Sequence, residues 1–345
     1  MFVRNMSRVC PDAFVHMHRF ILTLVLAYVF LSGCSSLIRS GQQGTATEYS
    51  QHCIPTAAKK PHRFAGLLKS RAPVTPTPRV LEQFSPESLR VAETVGVLPL
   101  LNDLAYLNAS RPDNIMGILV RRQLLTERTQ LALLEIASTT AEIICERDRA
   151  DQLADRIDEI DGAHIKQLTI GSIVLGGIAA IVTGGIGLAG GVSTAADAST
   201  VGGGVLASWL GVSALFVQSE VELHHEHNIL RELWEDPEEP QIFSPIIWRF
   251  LHRSPDSTRE SPRTEVLNAW RQKGRLGQEG TDDEQQRREL FFSAGGRYAS
   301  PELRARASML ETLEASLRLM HEELEVLIRE VSEASEPLFS PTLPF

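Results

Sequence analysis

The most unusual part of the hydrophobic pattern is an uncharged stretch near the middle of the chain. No charged side chain occurs over 167–196, and Asp197 is the only charge before Glu220. Two apolar runs, 168–191 and 201–217, lie in this stretch and are joined by a polar turn. A membrane-spanning helix needs about 20 mostly apolar residues, so the first run is long enough and the second is marginal. We therefore predict two apolar helical arms that form a hairpin.

Glycine is concentrated in the same stretch, which holds 12 of the chain's 24 glycines. In water, a glycine inside a helix costs about 1 kcal/mol relative to alanine, whereas in lipid small residues let two helices approach closely. Small residues at four-residue spacing predict contact between the arms at Gly176, Ala180, Gly184, Gly187 and Gly191. We expect the hairpin to lie in a membrane or an oligomer interface. The alternative is a buried hairpin in the core of a soluble helical fold.

Two other stretches carry the seven-residue apolar repeat that is typical of paired helices. The first runs over 115–167 and is marked by Ile136, Ile143, Ala150 and Ile157, with Leu153 and Ile160 as a second line. The second runs over 300–336 and is marked by Leu303, Leu310, Leu317, Leu324 and Val331, with Leu313, Met320 and Leu327 as a second line that Arg306 interrupts. We predict that these two helices pair, and that the first continues without a break into the apolar hairpin.

The remaining pattern predicts shorter elements. Serine followed by proline is typical of a helix start, as at Ser85, Ser244 and Ser300. We predict short helices after Ser85 and over 98–109, 244–251 and 265–272, a return helix over 220–234, a loop over 274–288 and a small β-hairpin over 289–298. The return helix would carry one buried stripe, formed by Leu223, His227, Leu230 and Trp234.

Together these patterns predict an all-α protein. Its long antiparallel, coiled-coil-like helices carry a Gly-rich apolar helical hairpin, and its C-terminal region includes a small irregular part. The predicted segments are a signal peptide (1–33), a Pro-rich tether (34–80), a helical region with the long helix (81–167), the hairpin (168–219), the return helix with short helices and loops (220–299), and the C-terminal coiled-coil helix (300–336).

The first 35 residues resemble the signal of bacterial lipoproteins. A short apolar core, Phe20–Phe30, is followed by Leu31-Ser32-Gly33-Cys34, which matches the lipobox. This resemblance implies cleavage before Cys34, a palmitate-containing lipid on Cys34 and a place in the bacterial cell envelope. Ser35 resembles the residue of lipoproteins that go to the outer membrane, where the chain would face the periplasm. The alternative is an uncleaved signal anchor, and the start codon is Met1, Met6 or Met17.

Two cysteines remain besides Cys10 in the signal and Cys34 at the expected anchor. Cys53 lies in the tether and Cys145 in the long helix. Disulfides persist in oxidising compartments such as the periplasm. We expect a disulfide between Cys53 and Cys145, and the alternative is two separate thiols.

The histidines at positions 224, 225 and 227 suggest a metal site, because imidazole is a common zinc ligand. No H-E-x-x-H motif is present, however, and no Cys/His pair elsewhere has metal-ligand spacing. We expect His227 to face the core, His224 and His225 to form a polar collar, and the protein to hold neither metal nor other cofactor.

Composition narrows the function further. The net charge of −9 argues against binding to nucleic acid. A glycine pattern over 185–190 lacks the preceding strand and following acid of a dinucleotide site, and we find no P-loop or G-x-S-x-G motif. We predict a non-enzymatic, lipid-anchored envelope protein with a structural or assembly role. It would contact the membrane through the anchor and the hairpin, and bind a protein partner or further copies of itself. The alternatives are a component of a pore or secretion-type complex, and a periplasmic binding or metal-binding domain.

Overall fold

The computed structural model describes Cys53 and residues 74–188, 207–225, 227–254 and 258–334, with the side chains of 179–188 excepted. It confirms the predicted all-α architecture. The helices are α1 (Pro78–Gln83), α2 (Pro86–Val95), α3 (Leu98–Ser110), α4 (Ile115–Leu188), α5 (Ile229–Glu235), α6 (Pro245–His252), α7 (Pro262–Gln272), α8 (Asp282–Phe292) and α9 (Ser300–Glu333). Two short strands, β1 (Val221–His224) and β2 (Gly295–Tyr298), form a single antiparallel pair.

Side-chain caps explain where several helices begin. The hydroxyl groups of Ser85, Ser244 and Ser261 each accept a hydrogen bond from the backbone N–H three residues later, and a proline opens each helix. At the start of α4, the side chain of Asn114 accepts from the backbone N–H of Gly117 at 3.0 Å.

The predicted pairing of the two long helices is confirmed. Arg304 contacts Asp155 and Asp158 at 2.9 and 2.6 Å, whereas Arg147 pairs with Glu314, so α4 and α9 run antiparallel. The predicted first lines of both helices are buried, except for half-buried Val331 at the end of α9. At about 1.5 Å per residue, α4 is about 110 Å long and α9 about 50 Å.

The second line predicted for α4 is wrong. Leu153 is only half-buried and Ile160 is exposed, whereas Ala154 is fully buried. The reason is that α9 begins beside Asp155 and Asp158, so no described helix of the body covers Ile160.

The predicted return helix over 220–234 is also wrong. Val221–His224 is a strand that pairs with Gly295–Tyr298, and the helix over this part of the chain is only Ile229–Glu235. Leu223, His227, Leu230 and Trp234 therefore do not share one helical face. Gly295 has φ 120°, and a Cβ there would lie 2.1 Å from the carbonyl oxygen of Leu223, so the strand pairing requires glycine.

Two neighbouring predictions are wrong: the loop over 274–288 and the β-hairpin over 289–298. Residues 282–292 form α8, whose first turn is acidic and whose start is capped by the Thr281 hydroxyl. Gly295-Gly296 belongs to a strand that pairs with a distant segment, not to a turn. Likewise, Ala299 rather than Ser300 occupies the cap position of α9, and Ser300 is its first residue.

The folded part begins earlier than predicted. Helix α1 starts at Pro78, inside the predicted tether, and its Val80 is fully buried. The backbone N–H of Thr77 donates to the side chain of Asn102 on α3 at 2.9 Å. Several predicted features lie outside the described residues: the signal segment (1–33), the tether residues 34–52 and 54–73 with Cys34, and the turn over 193–200.

The shorter elements complete the core beside α9. Val266, Leu267 and Trp270 of α7 are buried as predicted. The indole N–H of Trp270 donates to the carbonyl oxygen of Met309 on α9 at 3.1 Å, which fixes α7 against the long helix. Phe291 and Tyr298 are also fully buried, so α8 and β2 belong to the same core.

Candidate functional site

Helix α4 continues well past the end of its pairing with α9. The last ion pair between these two helices is at Asp158, and α4 then runs to Leu188, about 45 Å further. The chain returns along this extension as a helix over 207–213 and a 3₁₀ turn, Ala214–Phe216.

Two contacts show that the extension and the returning segment run antiparallel. The backbone N–H of Ser219 donates to the carboxylate of Asp161 at 3.0 Å. Further along, a Cβ placed on Gly176 would lie 3.9 Å from the Cβ of Ala207, which is ordinary van der Waals contact. The two arms therefore lie side by side from Asp161 to at least Gly176, about 22 Å.

The predicted packing positions are only partly described. Gly176 faces Ala207, and the space between them would accept an alanine. Ala180, Gly184, Gly187 and Gly191 lie outside the part of the chain whose side chains the structure describes. Gly171, Gly177 and Gly211 have open space where a Cβ would stand.

Both arms present large apolar side chains to solvent. Among the side chains that the structure describes, eight are exposed, from 52% at Val174 and Val212 to 80% at Leu215. The others are Ile170, Ile173, Ile178, Trp209 and Phe216. No helix within the described ranges is long and apolar enough to cross a membrane.

A second exposed apolar stripe lies at the start of α4 and has a different character. Its members are Ile115, Met116, Leu119, Val120, Leu124, Leu131 and Leu134. Charged residues such as Arg121, Arg122 and Glu127 stand among them in the sequence. The apolar arms have no such charges, so the two exposed regions can be compared experimentally.

A disulfide attaches the N-terminal part of the chain to the middle of α4. Cys53 is joined to Cys145, with the two Cα atoms 5.5 Å apart. Cys145 precedes Gln167, where the uncharged stretch begins, by 22 residues, or about 33 Å along the helix.

The three neighbouring histidines do not form one site. His224 is exposed on β1, and its Nε2 lies 3.2 Å from Glu222. His225 is buried against Tyr298, whereas His227 contacts Glu142 on α4. Across the described ranges, no group of three or more His, Cys, Asp or Glu side chains is arranged to hold a metal ion. The expectation that His225 belongs to a polar collar is wrong, because its side chain lies in the core.

His225 and Tyr298 form a buried hydrogen-bond chain. The Tyr298 hydroxyl donates to the carbonyl oxygen of Leu290 at 2.7 Å and must therefore accept from Nε2–H of His225, which is 2.8 Å away. Burial lowers the pKa of His225 far below its ordinary value, and nearby arginines lower it further. Burial also raises the pKa of Tyr298 to about 12. Both groups are therefore neutral at physiological pH and act as fixed hydrogen-bond partners.

Arg306 extends this chain into a buried charged cluster. Only 1% of Arg306 is exposed, and its guanidinium lies 3.4 Å from the carbonyl oxygen of Phe291 and 4.0 Å from Glu146. Glu146 also contacts Arg149 at 3.5 Å, and burial lowers the pKa of Arg149. In the sequence, Arg306 is only an interruption of the heptad. The signal for a buried charge is that Glu142, Glu146 and Arg149 occupy the same face of the facing helix.

His227 adds a partly buried ion pair beside this cluster. Its Nδ1 donates to the Glu142 carboxylate, which links the loop after β1 to α4. Burial alone lowers the pKa of His227, but the hydrogen bond to Glu142 and the charges of Glu142, Glu232 and Glu146 outweigh burial and raise the pKa above its ordinary value. The pair therefore holds a proton more tightly in the folded state than in the unfolded state.

A cleft of about 850 Å³ lies between α5 and α8. The Trp234 ring in its wall stacks on Phe292 with a centroid separation of 4.6 Å, and the guanidinium groups of Arg288 and Arg271 lie 5.0 and 5.4 Å from the ring centroid. The ring is thus surrounded by the protein's own groups and offers no open stacking platform to a ligand.

No protein-family model, curated protein or solved structure matches this chain. The apolar arms, the disulfide and the buried cluster are therefore the features from which a function can be inferred.

Proposed function

We propose that this chain is a non-enzymatic, lipid-anchored protein of the bacterial cell envelope, held at the outer membrane on its periplasmic side. Its helical body carries the apolar hairpin into a membrane, and its role is structural or in assembly. The observation that supports this proposal best is the pair of antiparallel arms, which are uncharged over 167–196 and, among their described side chains, expose eight large apolar ones.

The energetics favour insertion of these arms. Fully burying one large apolar side chain contributes roughly 1.5–3 kcal/mol, so half that gain for each of the eight exposed side chains amounts to about 9 kcal/mol. The cost of inserting the backbone is small, because helical arms make their own hydrogen bonds.

The lipid and the hairpin complement each other. The lipobox at Leu31–Cys34 would supply one membrane attachment and the arms a second, independent one. Replacement of Cys34 by alanine should abolish lipid labelling, and continued labelling of that variant would overturn the anchor.

Vesicle flotation of a Cys34→Ser variant tests the hairpin separately from the lipid. The unlipidated protein should still bind vesicles, because the arms remain. Adding Ile178→Arg, at a position 54% exposed, introduces a charge that costs about 2.5–3.5 kcal/mol in a bilayer, so binding should fall about 100-fold. The matched control is Leu134→Arg, at a position 66% exposed on the other apolar stripe, which should leave binding unchanged.

Two results would contradict the proposal. One is failure of the Cys34→Ser protein to bind vesicles, and the other is an equal loss of binding in the Ile178 and Leu134 variants. If the arms instead pack against further copies of this chain, the Cys34→Ser protein would form oligomers in the absence of lipid. Analytical ultracentrifugation would detect such oligomers, and Ile178→Arg would dissociate them.

A further inference from the structure

We infer that this chain pairs with a second copy of itself through the exposed face of the first part of α4, and that the two copies of α4 run antiparallel there. This surface, the α4 face, consists of the exposed residues over 115–141. Its last large apolar residue, Leu134, lies about 50 Å before Gln167 along the helix. The inference goes beyond the proposed function and does not depend on the apolar arms.

The α4 face has the composition of a protein interface. Fourteen of its residues are exposed, and Glu127 is the one charged residue among them, because Arg121 and Arg122 are half-buried at its margin. Seven of the fourteen are the large apolar side chains at the start of α4, from 39% exposed at Leu124 to 71% at Met116. Depletion of charge around clustered apolar side chains is typical of the core of an interface.

The exposed face of α9 provides the comparison within the same molecule. Over 301–333, twelve residues are exposed and seven of them are charged, such as Arg304, Glu311 and Arg318. Leu319, 54% exposed, is the one large apolar side chain on that face. Helix α9 therefore carries an ordinary solvated face, and the α4 face has the opposite composition.

The area of the α4 face suits a second copy. Each carbon of an apolar side chain covers roughly 30 Å², so seven half-exposed side chains of about four heavy atoms offer roughly 450 Å² per copy. A dimer would bury about 900 Å² of this apolar surface, and the polar members of the face bring the total above the ~1,000 Å² that a specific interface needs. An interface at this lower end of the range predicts a dissociation constant in the micromolar range.

The order of residues along the α4 face is symmetric about Leu125. Three pairs of its members stand at equal distances on either side of this residue: Met116 and Leu134, Leu119 and Leu131, and Gln123 and Glu127. An antiparallel twofold pair brings each residue opposite its counterpart, so that apolar residues face apolar residues and Gln123 faces Glu127. A partner of different sequence would gain nothing from this symmetry, which therefore favours a second copy.

Glu127 selects the antiparallel orientation. Its carboxylate accepts a hydrogen bond from the side-chain amide of Gln123 in the same chain at 2.9 Å, and a carboxylate has room to accept another from the Gln123 amide of the second copy. In a parallel pair the two Glu127 carboxylates would face each other, and their repulsion would oppose pairing. One polar residue in an apolar seam can thus fix how two helices pair.

The antiparallel orientation also keeps the apolar arms of the two copies apart. The arms would lie at opposite ends of the pair, each about 60 Å from Leu125 along its own α4. Pairing therefore adds no second set of arms at one membrane, and Leu134→Arg remains a valid control for vesicle binding.

Sedimentation equilibrium of the Cys34→Ser protein without lipid, over about 1–100 µM, measures the pairing. A monomer–dimer equilibrium is expected. Leu134→Arg places an unpaired charge in the seam and should raise the dissociation constant tenfold or more, and Met116→Arg at the other end should do the same. The matched controls are Leu319→Arg on the solvated face of α9 and Ile178→Arg on the arms, and both should leave the dimer unchanged. Circular dichroism establishes that each variant is folded.

Thiol crosslinking tests the orientation. Met116→Cys and Leu134→Cys are prepared separately in a Cys10→Ser/Cys34→Ser protein, in which the Cys53–Cys145 disulfide remains. A short bis-maleimide should join the two variants when they are mixed and should join neither variant to itself, because equal positions lie about 27 Å apart in the antiparallel pair.

Three results would overturn the inference at different points. A monomer at every concentration would exclude a second copy and leave the α4 face to another protein. Equal weakening of the dimer by Leu319→Arg or Ile178→Arg would exclude the α4 face as the site of pairing. Crosslinking of either variant to itself, without crosslinking in the mixture, would exclude the antiparallel orientation. Vesicle binding, which tests the proposed function, is measured separately from all three.

Discussion

Removal of the apolar arms should leave the helical body folded. The change is deletion of residues 170–217, with Thr169 joined to Gln218 by a short Gly/Ser linker. Ser219 is held at Asp161, eight residues before Thr169, so the gap to be closed is about 12 Å. A linker of about six residues spans it.

The expected magnitude follows from the burial of the deleted side chains. Among those that the structure describes, Ala214 is the one buried apolar residue, and its loss costs less than about 1 kcal/mol. If the arms were instead the core of a soluble fold, loss of these eight large side chains at roughly 1.5–3 kcal/mol each would match or exceed the whole stability of a typical domain, about 5–15 kcal/mol. The two interpretations therefore differ by an order of magnitude.

Urea unfolding followed by circular dichroism at 222 nm measures the difference. The shortened protein should keep one cooperative transition, with an unfolding free energy within about 1 kcal/mol of the full chain. Leu310→Ala, in the buried seam between α4 and α9, is the control for sensitivity and should cost about 2–5 kcal/mol. Loss of helicity or of cooperativity in the shortened protein would show that the arms belong to the core and would refute the membrane proposal.

Three further predictions concern the body. The carboxylate of Glu232 accepts hydrogen bonds from three consecutive backbone N–H groups over 241–243, so Glu232→Ala should lower the unfolding free energy by about 3 kcal/mol or more; a loss below about 1 kcal/mol in urea titrations would contradict this. The pKa of His227 is raised in the folded state, so its ion pair contributes fully below about pH 6.5 and less as pH rises through the raised value. The cost of His227→Gln should therefore be larger at pH 6 than at pH 9, and a pH-independent cost would argue against the pair. Opening the Cys53–Cys145 disulfide, which closes 92 residues, should lower the thermal midpoint and cost about 2–4 kcal/mol; an unchanged midpoint after reduction would show that the bond does not constrain the unfolded chain.

The buried cluster also bears on how the two long helices choose their register. Arg306 stands at a heptad position where leucine would pack, and Glu146 lies opposite it on α4. A shift of α9 by one heptad would place Arg306 opposite Thr139 or Leu153 instead of Glu146, and neither residue can balance a buried charge. A single polar residue at such a position can specify register in paired helices.

Much of the helical framework was determined by the sequence alone, because it depends on neighbouring residues. The start of α2 follows from Ser85 and the proline after it, and the buried line of α9 follows from leucines seven residues apart. The uninterrupted run of α4 into the apolar stretch follows from the absence of proline between Ile115 and Gln167. Caps, repeats and breaks are local properties, and a local pattern predicts them.

The tertiary structure decided the elements whose partners are far away in the chain. Val221–His224 has a sequence that suits a helix turn, but it pairs with Gly295–Tyr298, more than 70 residues later, and so becomes a strand. The supposed interruption at Arg306 is likewise a buried charge, because Glu146 faces it across the helix pair. A segment's hydrogen-bond and charge partners are set by packing between distant parts of the chain, and neither periodicity nor propensity encodes that packing.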